Sequence, residues 1–305
     1  MNNIEKDLLK IIADMDGAVN GAFNIRANGG LAERHVTESV DIRNKTDKDG
    51  IDIIIRPGTK GETIHIPVII SESGVNDLVY NDFIIGDDCD VTIMAGCGIH
   101  NCGDEESRHD GIHSFFVGKN AKVKYIERHY GEGDGKGGKN MNPTTVVNIA
   151  EGGYMEMETS QIKGIDNTNR ITRATLEADA TLIIHEKLMT HGTQRADTDF
   201  SVDMNGENSS ANVVSRSVAC DNSVQVYRSN INGNNKCTGH TECDAIIMGE
   251  AKVSAIPEIN ANHIDASLIH EAAIGKIAGE QLIKLMTLGL SEQEAEEEIV
   301  NGFLK

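Results

Sequence analysis

The sequence predicts a mainly β protein: a parallel β-helix with one helix before it and a helical tail after it. Three observations carry this. Between Ile51 and about Ile259 the apolar residues come in short alternating runs bounded by polar turns. The anchors Val91, Val123, Met155, Leu182 and Val213 recur roughly thirty residues apart, within the period range of stacked-coil architectures. No long helical pattern interrupts the stretch, which excludes βαβ units. A β-sandwich also has short strands and frequent turns. The slow recurrence favours stacked coils, each too small to fold alone and buried by its neighbours.

Taken in order, Ile4, Leu8, Leu9, Ile11, Ile12 and Met15 fall at helical spacing with charged residues between them. Asn2 or Asn3 caps this helix and Asp16-Gly17 stops it. Strands follow at Ile51–Arg56, Thr63–Ile70, Val91–Met94, Val123–Ile126 and Met155–Glu158. Further ones are expected at Thr181–Ile184, Ala211–Val214, Val224–Tyr227 and Ala245–Met248. Several share one grammar of polar turn, small residue and alternating strand, as in Gly86-Asp-Asp-Cys-Asp-Val, Gly118-Lys-Asn-Ala-Lys-Val and Glu177-Ala-Asp-Ala-Thr-Leu. The glycine-rich stretch 131–140 reads as a mobile loop. After about Asp265 the helical period returns through Leu268, Ile269, Ala272, Ala273 and Ile277, then in Glu280–Leu288, for which Gly289 is a left-handed cap. Ser291-Glu-Gln-Glu294 is a capping box for a last helix to about Asn301. The division expected is a helical segment at 1–30, a β-helix core at 31–264 and a C-terminal helical subdomain at 265–305.

Composition narrows the function. With 28 basic against 48 acidic residues, the 305-residue chain carries a net charge of −20. That field repels phosphate backbones, and the absence of Trp removes base-stacking surface, so no nucleic-acid partner is expected. No run approaches the roughly 18 apolar residues of a membrane helix. The first residues are acidic where a secretory leader would be basic and then apolar. Six cysteines at uneven spacing do not suggest a disulfide framework, so a reducing cytoplasm is the expected location.

Two groups of residues could carry chemistry. Cys237, His240, Glu242 and Cys243 lie within one short run, and thiolates beside an imidazole suit zinc or iron–sulfur centres. The Cys-x5-Cys spacing matches no zinc-finger or ferredoxin signature. Cys243 could equally be a small buried hydrophobe. His270-Glu271 follows, readable as a weak ligand pair or as a helix N-terminus favouring Glu. The second group holds Cys89, Cys97 and Cys102 with His100, followed by His109 and His113. It is the densest His/Cys cluster in the chain and a metal candidate, or else a solvated loop with incidental histidines. His129, His185 and His191 read as structural. Gly133–Asn140 nearly spells a phosphate loop, but Asn140 replaces the Ser/Thr and Pro143 blocks the following helix. His185-Glu186 lacks the second His of a zinc-protease motif, and no Gly-x-Ser-x-Gly elbow occurs.

The order of Cys243-Asp244, Pro257-Glu-Ile259, His270-Glu-Ala272, Glu280-Gln-Leu282 and Gly302-Phe303 resembles the core of the SufB/SufD family of iron–sulfur cluster assembly scaffolds. The resemblance covers most of the chain and implies a right-handed parallel β-helix. It implies that Cys243 accepts sulfur and holds a transient iron–sulfur cluster, with His270 and Glu271 as weak ligands and His240, Glu242 and Cys237 near by. Cys97, Cys102 and His100 remain secondary candidates. SufB proteins carry Glu-His-Glu where this chain has Ile269-His270-Glu271, which puts the first carboxylate's role in doubt. The implied partners are a SufC-type ABC ATPase docking on the C-terminal helices, a second copy or a SufD-like chain, and iron–sulfur acceptor proteins. Flavin is neither required nor excluded by any residue pattern. The chain is expected to be a non-catalytic scaffold of the minimal, single-scaffold form. The alternatives are a SufD-like platform without its own cluster, or a polysaccharide-active β-helix protein, which would call for acidic pairs and aromatic platforms.

Overall fold

In the computed structural model, which describes residues 1–17 and 19–305, the chain winds into a parallel β-solenoid of about 8 turns. The first elements are helix α1 (Asn3–Ala13), the hairpin β1 (Phe23–Ala27) and β2 (Gly30–His35), and the hairpin β3 (Val40–Asn44) and β4 (Gly50–Ile55). The coils continue as β5 (Lys60–Ile70), β6 (Asn76–Ile85), β7 (Asp90–His100), β8 (Ser107–Val117), β9 (Lys122–Glu132), β10 (Lys139–Met141), β11 (Thr144–Ile149) and β12 (Tyr154–Lys163). Then come β13 (Asn167–Leu176), β14 (Thr181–Thr190), β15 (Arg195–Met204), β16 (Ser209–Ala219), β17 (Val224–Gly233), β18 (Cys237–Ile247), β19 (Lys252–Ala261) and β20 (Ala266–Gly275). Helices α2 (Gly279–Met286) and α3 (Glu292–Phe303) close the chain.

The strands form two sheets. One runs β2-β1-β5-β7-β9-β12-β14-β16-β18-β20; the other runs from β19 through β17, β15, β13, β10, β8, β6 and β4 to β3, with β11 beside β13 and β8. The expected period is the stacking itself. Val91, Val123, Met155 and Leu182 are direct register partners on consecutive strands. Val213 lies opposite Ile184, one inward position further along.

The turn grammar has a physical basis. Asp88, Asn120 and Asp179 sit at φ of 58°, 53° and 56°, the left-handed region that Asp and Asn tolerate best among residues with side chains. The small residue that follows each, Cys89, Ala121 or Ala180, is fully buried in the core. Successive turns also bond to each other, Asp88 N to Lys119 O and Asn120 N to Glu151 O. One apolar core thus runs the length of the solenoid, with Phe83 and Phe115 stacked at 4.4 Å and Tyr125 edge-on to Phe115 at 4.8 Å.

Both helical ends follow their caps, with differences in extent. Asn2 and Glu5 form the capping box of α1, which ends at Asp14 in a left-handed conformation, before the expected stop at Asp16-Gly17. Its Leu8, Leu9, Ile12 and Ala13 cover the outer face of the first sheet, and Gly98 leaves the space that Leu8 fills. This is why Ile64 to Ile70 of β5 is buried on both faces. The first strand begins at Phe23, inside the segment expected to be helical. At the other end, Leu268–Ala273 is strand, not helix: β20 pairs with β18 along its whole length. Ladder hydrogen bonds to a ready edge outweigh the weak helical preference of a Leu-Ile-His-Glu-Ala-Ala run. The stretch 133–138 is coil, but it is bonded to the preceding coil through Gly135 N to Asn101 O and Gly137 N to Gly103 O. Ser291 and Glu294 cap α3 as expected. Val300 and Leu304 pack on Val218 and Cys220, with Ile246 and Met248 beside them. Helix α2 buries no residue and exposes Ile283, Met286 and, after it, Leu288.

Candidate functional site

The last two rungs of the first sheet carry the residues singled out in the sequence, and strand alternation divides them. Along β18 the burial alternates, with Cys237, Gly239, Thr241, Cys243 and Ala245 facing inward and His240, Glu242 and Asp244 facing outward. On β20 His270 is opposite Thr241, and Glu271 is opposite Glu242. His270 therefore joins the inward set with Cys243, one diagonal step away, and Glu271 joins the outward set. Cys237 also points inward, but six residues along one strand is about 20 Å, too far to share a ligand with Cys243. The expected six-residue group is thus an inward thiol–imidazole pair, an outward imidazole–carboxylate trio and a remote cysteine.

The inward pair is closed to solvent on the Cys243 side. Cys243 is 1% exposed. Burial first, then the nearby Glu186 and Asp244 carboxylates, push its thiol up to about 12. His270 is held below the ordinary imidazole range by burial and by His240, so it is neutral at pH 7 and able to ligate. Its Nδ1 shares a hydrogen bond with Thr241 Oγ1.

Behind Cys243 runs a file of buried polar side chains, most of them unassigned by the sequence reading; His113 and His109, grouped there with the second cysteine cluster, belong to it. Ser215, the register partner of Cys243, donates to Glu186 Oε2 at 2.6 Å, and Thr198 donates to Glu186 Oε1 at 3.1 Å. Arg170 lies between Glu186, 3.6 Å from Nε, and Glu127, to which it donates. Tyr125 donates to Glu127 at 3.0 Å and meets His113 Nδ1 at 3.0 Å. Burial, the largest single influence, would raise the Glu127 carboxyl; Arg170, His129 and His113 together outweigh it and hold the group well below the carboxylate range. His113, by contrast, is lowered to about 4 by burial. Nearer the N-terminal end, Asp77 accepts from Arg26 at 2.7 Å and faces His109 Nδ1 at 3.0 Å. The signal was available: Tyr125, Glu127 and His129 occupy the phase of β9 that should be apolar.

On the outer face, Nδ1 of His240 lies 3.0 Å from Asn212 Oδ1 and so carries the proton it donates there. That leaves the Nε2 lone pair facing Glu271 Oε2 at 3.3 Å, with Glu242 alongside. Ligand atoms of all three lie within 4.8 Å of one another, a geometry that can hold a proton or a metal ion. Burial, then Asp244, raises the Glu242 carboxyl.

The second sequence cluster is also divided. Cys97 is buried on β7 among Val68, Ile70, Ile99 and Met141, and burial pushes its thiol well up. His100 and Cys102 stand together at the end of the same strand, on the surface. Cys89 donates from the core to Arg56 O. Loop 133–138, packed backbone to backbone on the preceding turn, opens no helix and does not form a phosphate cradle.

A β-solenoid that holds a buried thiol and a neutral imidazole on its last two rungs carries ligand types that suit soft-metal or sulfur chemistry. Comparison with known proteins identifies which. Residues 71–303 match the family model described as SUF system FeS cluster assembly, SufBD core domain. An iron–sulfur cluster assembly SufBD family protein of Methanocaldococcus jannaschii is 32% identical over 255 residues, 83% of this chain and 79% of that protein. One from Archaeoglobus fulgidus is 31% identical over 264 residues, covering 85% of this chain and 69% of the relative. A chloroplastic one from Arabidopsis thaliana is 25% identical over 224 residues, 70% of this chain and 40% of that protein. The chain belongs to the SufBD family of iron–sulfur cluster assembly proteins.

Proposed function

We propose that this chain is the SufB-like member of its assembly system, a scaffold that receives sulfur and iron on Cys243 and works with a SufC-type ABC ATPase. One observation carries the reading: Cys243 lies on the penultimate rung of the first sheet, covered only by β20, the strand that brings His270 beside it. A thiolate and a neutral imidazole suit a nascent cluster, which is cargo here, and nitrogen ligation is weak enough to let it leave. In the closed state the thiol is protonated and shielded, so loading requires displacement of the last rung. Helix α3 offers a handle on the strand of Cys243 rather than on β20 itself, because Val300 and Leu304 pack on the ends of β16 and β18, so a pull on it would part β18 from β20. The exposed apolar side of α2 is the docking surface for the ATPase.

Pairing of two copies across the open end, acceptor proteins and a reducing cytoplasm complete the proposal; all six cysteines are unpaired, which suits that compartment. Among the described residues no helix is long and apolar enough to cross a membrane.

The test is anaerobic reconstitution beside the ATPase partner, with iron and sulfide quantified. Cys243→Ser is expected to abolish cluster formation while the circular dichroism spectrum and melting temperature stay at wild type. Full loading of that variant defeats the assignment. It would favour the second reading, a SufD-like platform, which draws on the exposed Ile269 standing where SufB proteins carry a carboxylate.

A further inference from the structure

The C-terminal ends of β14, β16 and β18 gather soft donor atoms beneath α3. Outward positions there fall in two rows. Met189, Val218 and Ile246 are register partners and form the first, on which α3 packs. The second row lies two residues on, one past the paired ends Thr190, Ala219 and Ile247, and holds His191, Cys220 and Met248. The backbone keeps this row in step: Cys220 N donates to Thr190 O at 2.9 Å and Met248 N donates to Ala219 O at 2.8 Å. The three residues therefore stack at the strand spacing of about 4.8 Å.

This row faces space as well as packing. His191, Cys220 and Met248, with Met189, wall a cavity of about 670 Å³ between the solenoid and α3. Cys220 is only 9% exposed, and its thiol donates to a thioether, Met248 Sδ, at 3.9 Å. His191 donates its backbone N–H to Gln194 Oε1, while its ring nitrogens have no hydrogen-bond partner among the described residues. Glu296, Glu297 and Glu298 of α3 line the facing wall against one lysine, Lys305, so the field there favours a cation. Thiolate and thioether sulfur select copper(I), whereas zinc takes thiolate and imidazole but not thioether. Metal–sulfur bonds of about 2.3 Å spanning the 3.9 Å between the two sulfurs would meet at about 115°, near the trigonal angle. His191, on the other side of Cys220, is placed to supply the third donor.

We propose that His191, Cys220 and Met248 form a binding site for copper(I) in the cleft between α3 and the solenoid. On binding, the Cys220 sulfur releases its proton to solvent and bonds the metal, while Met248 Sδ and a His191 ring nitrogen each give a lone pair. No electron changes hands. Burial first, then Asp221 and Glu296, raise the free Cys220 thiol, so the metal has to displace a proton at neutral pH. The bound ion ties three consecutive rungs together under α3 and stiffens the seat of that helix. Met248 lies five residues beyond Cys243, about 16 Å along the chain, and faces the other way, so this site is separate from the candidate cluster site. The inference rests on these side chains and not on the scaffold reading.

The test uses the full chain, reduced and anaerobic, with copper(I) supplied as its bicinchoninate complex. Cys102→Ser removes the exposed thiol as a competitor and serves as the parent. That parent should take a single equivalent of copper(I) from the chelator, and its melting temperature should rise. Adding Cys220→Ser should weaken copper(I) binding by about a hundredfold and adding Met248→Leu by about tenfold, with the rise in melting temperature lost in the first. Zinc affinity should be the same with and without Met248→Leu. Between pH 7 and pH 8 copper(I) affinity should rise about tenfold, the mark of one proton released. Silver(I), a redox-inert probe, should shift the methyl resonance of Met248 in the unaltered protein and leave that of Met94, in the first sheet, in place. Undiminished copper(I) binding by the Cys220→Ser protein, a loss of zinc affinity with Met248→Leu, or a Met248 methyl that silver(I) does not move would each overturn the proposal. Should the Cys220→Ser protein fail to fold, the silver(I) titration of the unaltered chain still decides.

Discussion

Cys243 and Cys102 present the same side chain in opposite settings. Cys243 is sealed in the solenoid near Glu186, with its thiol pushed up to about 12 and no base in hydrogen-bonding range. Cys102 stands in solvent on a braced turn with an oriented imidazole against it. The first thiol is shielded and the second is open to reagents. The difference comes from neighbours and not from the thiol, and neighbours can be changed.

The severest way to break the contrast is to remove the charge that holds the Cys243 surroundings together. Arg170→Met leaves Glu127 and Glu186 as unpaired buried carboxylates, and breaking such a network should cost about 3–5 kcal/mol. Urea unfolding measures the loss, and the loosened interior should raise the labelling of Cys243 in the native protein. A milder test leaves the protein intact. At pH 7.5 iodoacetamide should modify Cys102 about a hundredfold faster than Cys243, equivalent to about 2.7 kcal/mol, and denaturant should erase the gap. Comparable native rates would show that the last rung opens freely without a motor.

The smallest effect concerns acid. Burial would raise the Asp77 carboxyl, but hydrogen bonds from His109 and Arg26 outweigh it and lower the group from 3.8 to about 2. A carboxyl depressed in the folded state stabilises above its unfolded value and loses that contribution as pH falls through the folded one. About 2 kcal/mol should therefore disappear between pH 4 and pH 2, and Asp77→Asn should flatten that part of the stability curve. Because Asp77 lies far from the last rung, the variant should leave Cys243 labelling at neutral pH unchanged.

The fold was legible because its repeat is chemical as well as numerical. An Asp or Asn able to adopt positive φ, then a small buried residue, then an alternating strand can be read at Asp88, Asn120 and Asp179 without coordinates. The candidate site was legible in composition but not in arrangement. His-Thr-Glu-Cys at 240–243 looks like one ligand set, yet adjacent strand residues face opposite ways, so His240 and Glu242 part from Cys243. Leu268–Ala273 reads as helix from its spacing, and the open edge of β18 makes it strand. Of the polar residues in the apolar phase of β9, His129 reads as structural from the sequence, but Tyr125 and Glu127 carry no assignment because their partner Arg170 comes from the neighbouring coil. Glu132 was missed beside His100 for a related reason: it is 32 residues away, one coil further on.

The alternation along β18 also governs how this region can be edited. Losing or gaining a single residue between Thr238 and Cys243 would rotate one part of the strand by half its repeat, carrying the sulfur to the solvent face or the imidazole into the core. Changes of two residues, or changes confined to the turns, keep the faces in phase. The end of the rod that carries Cys243 should therefore accept length changes in even steps, whereas its turns can grow by any number.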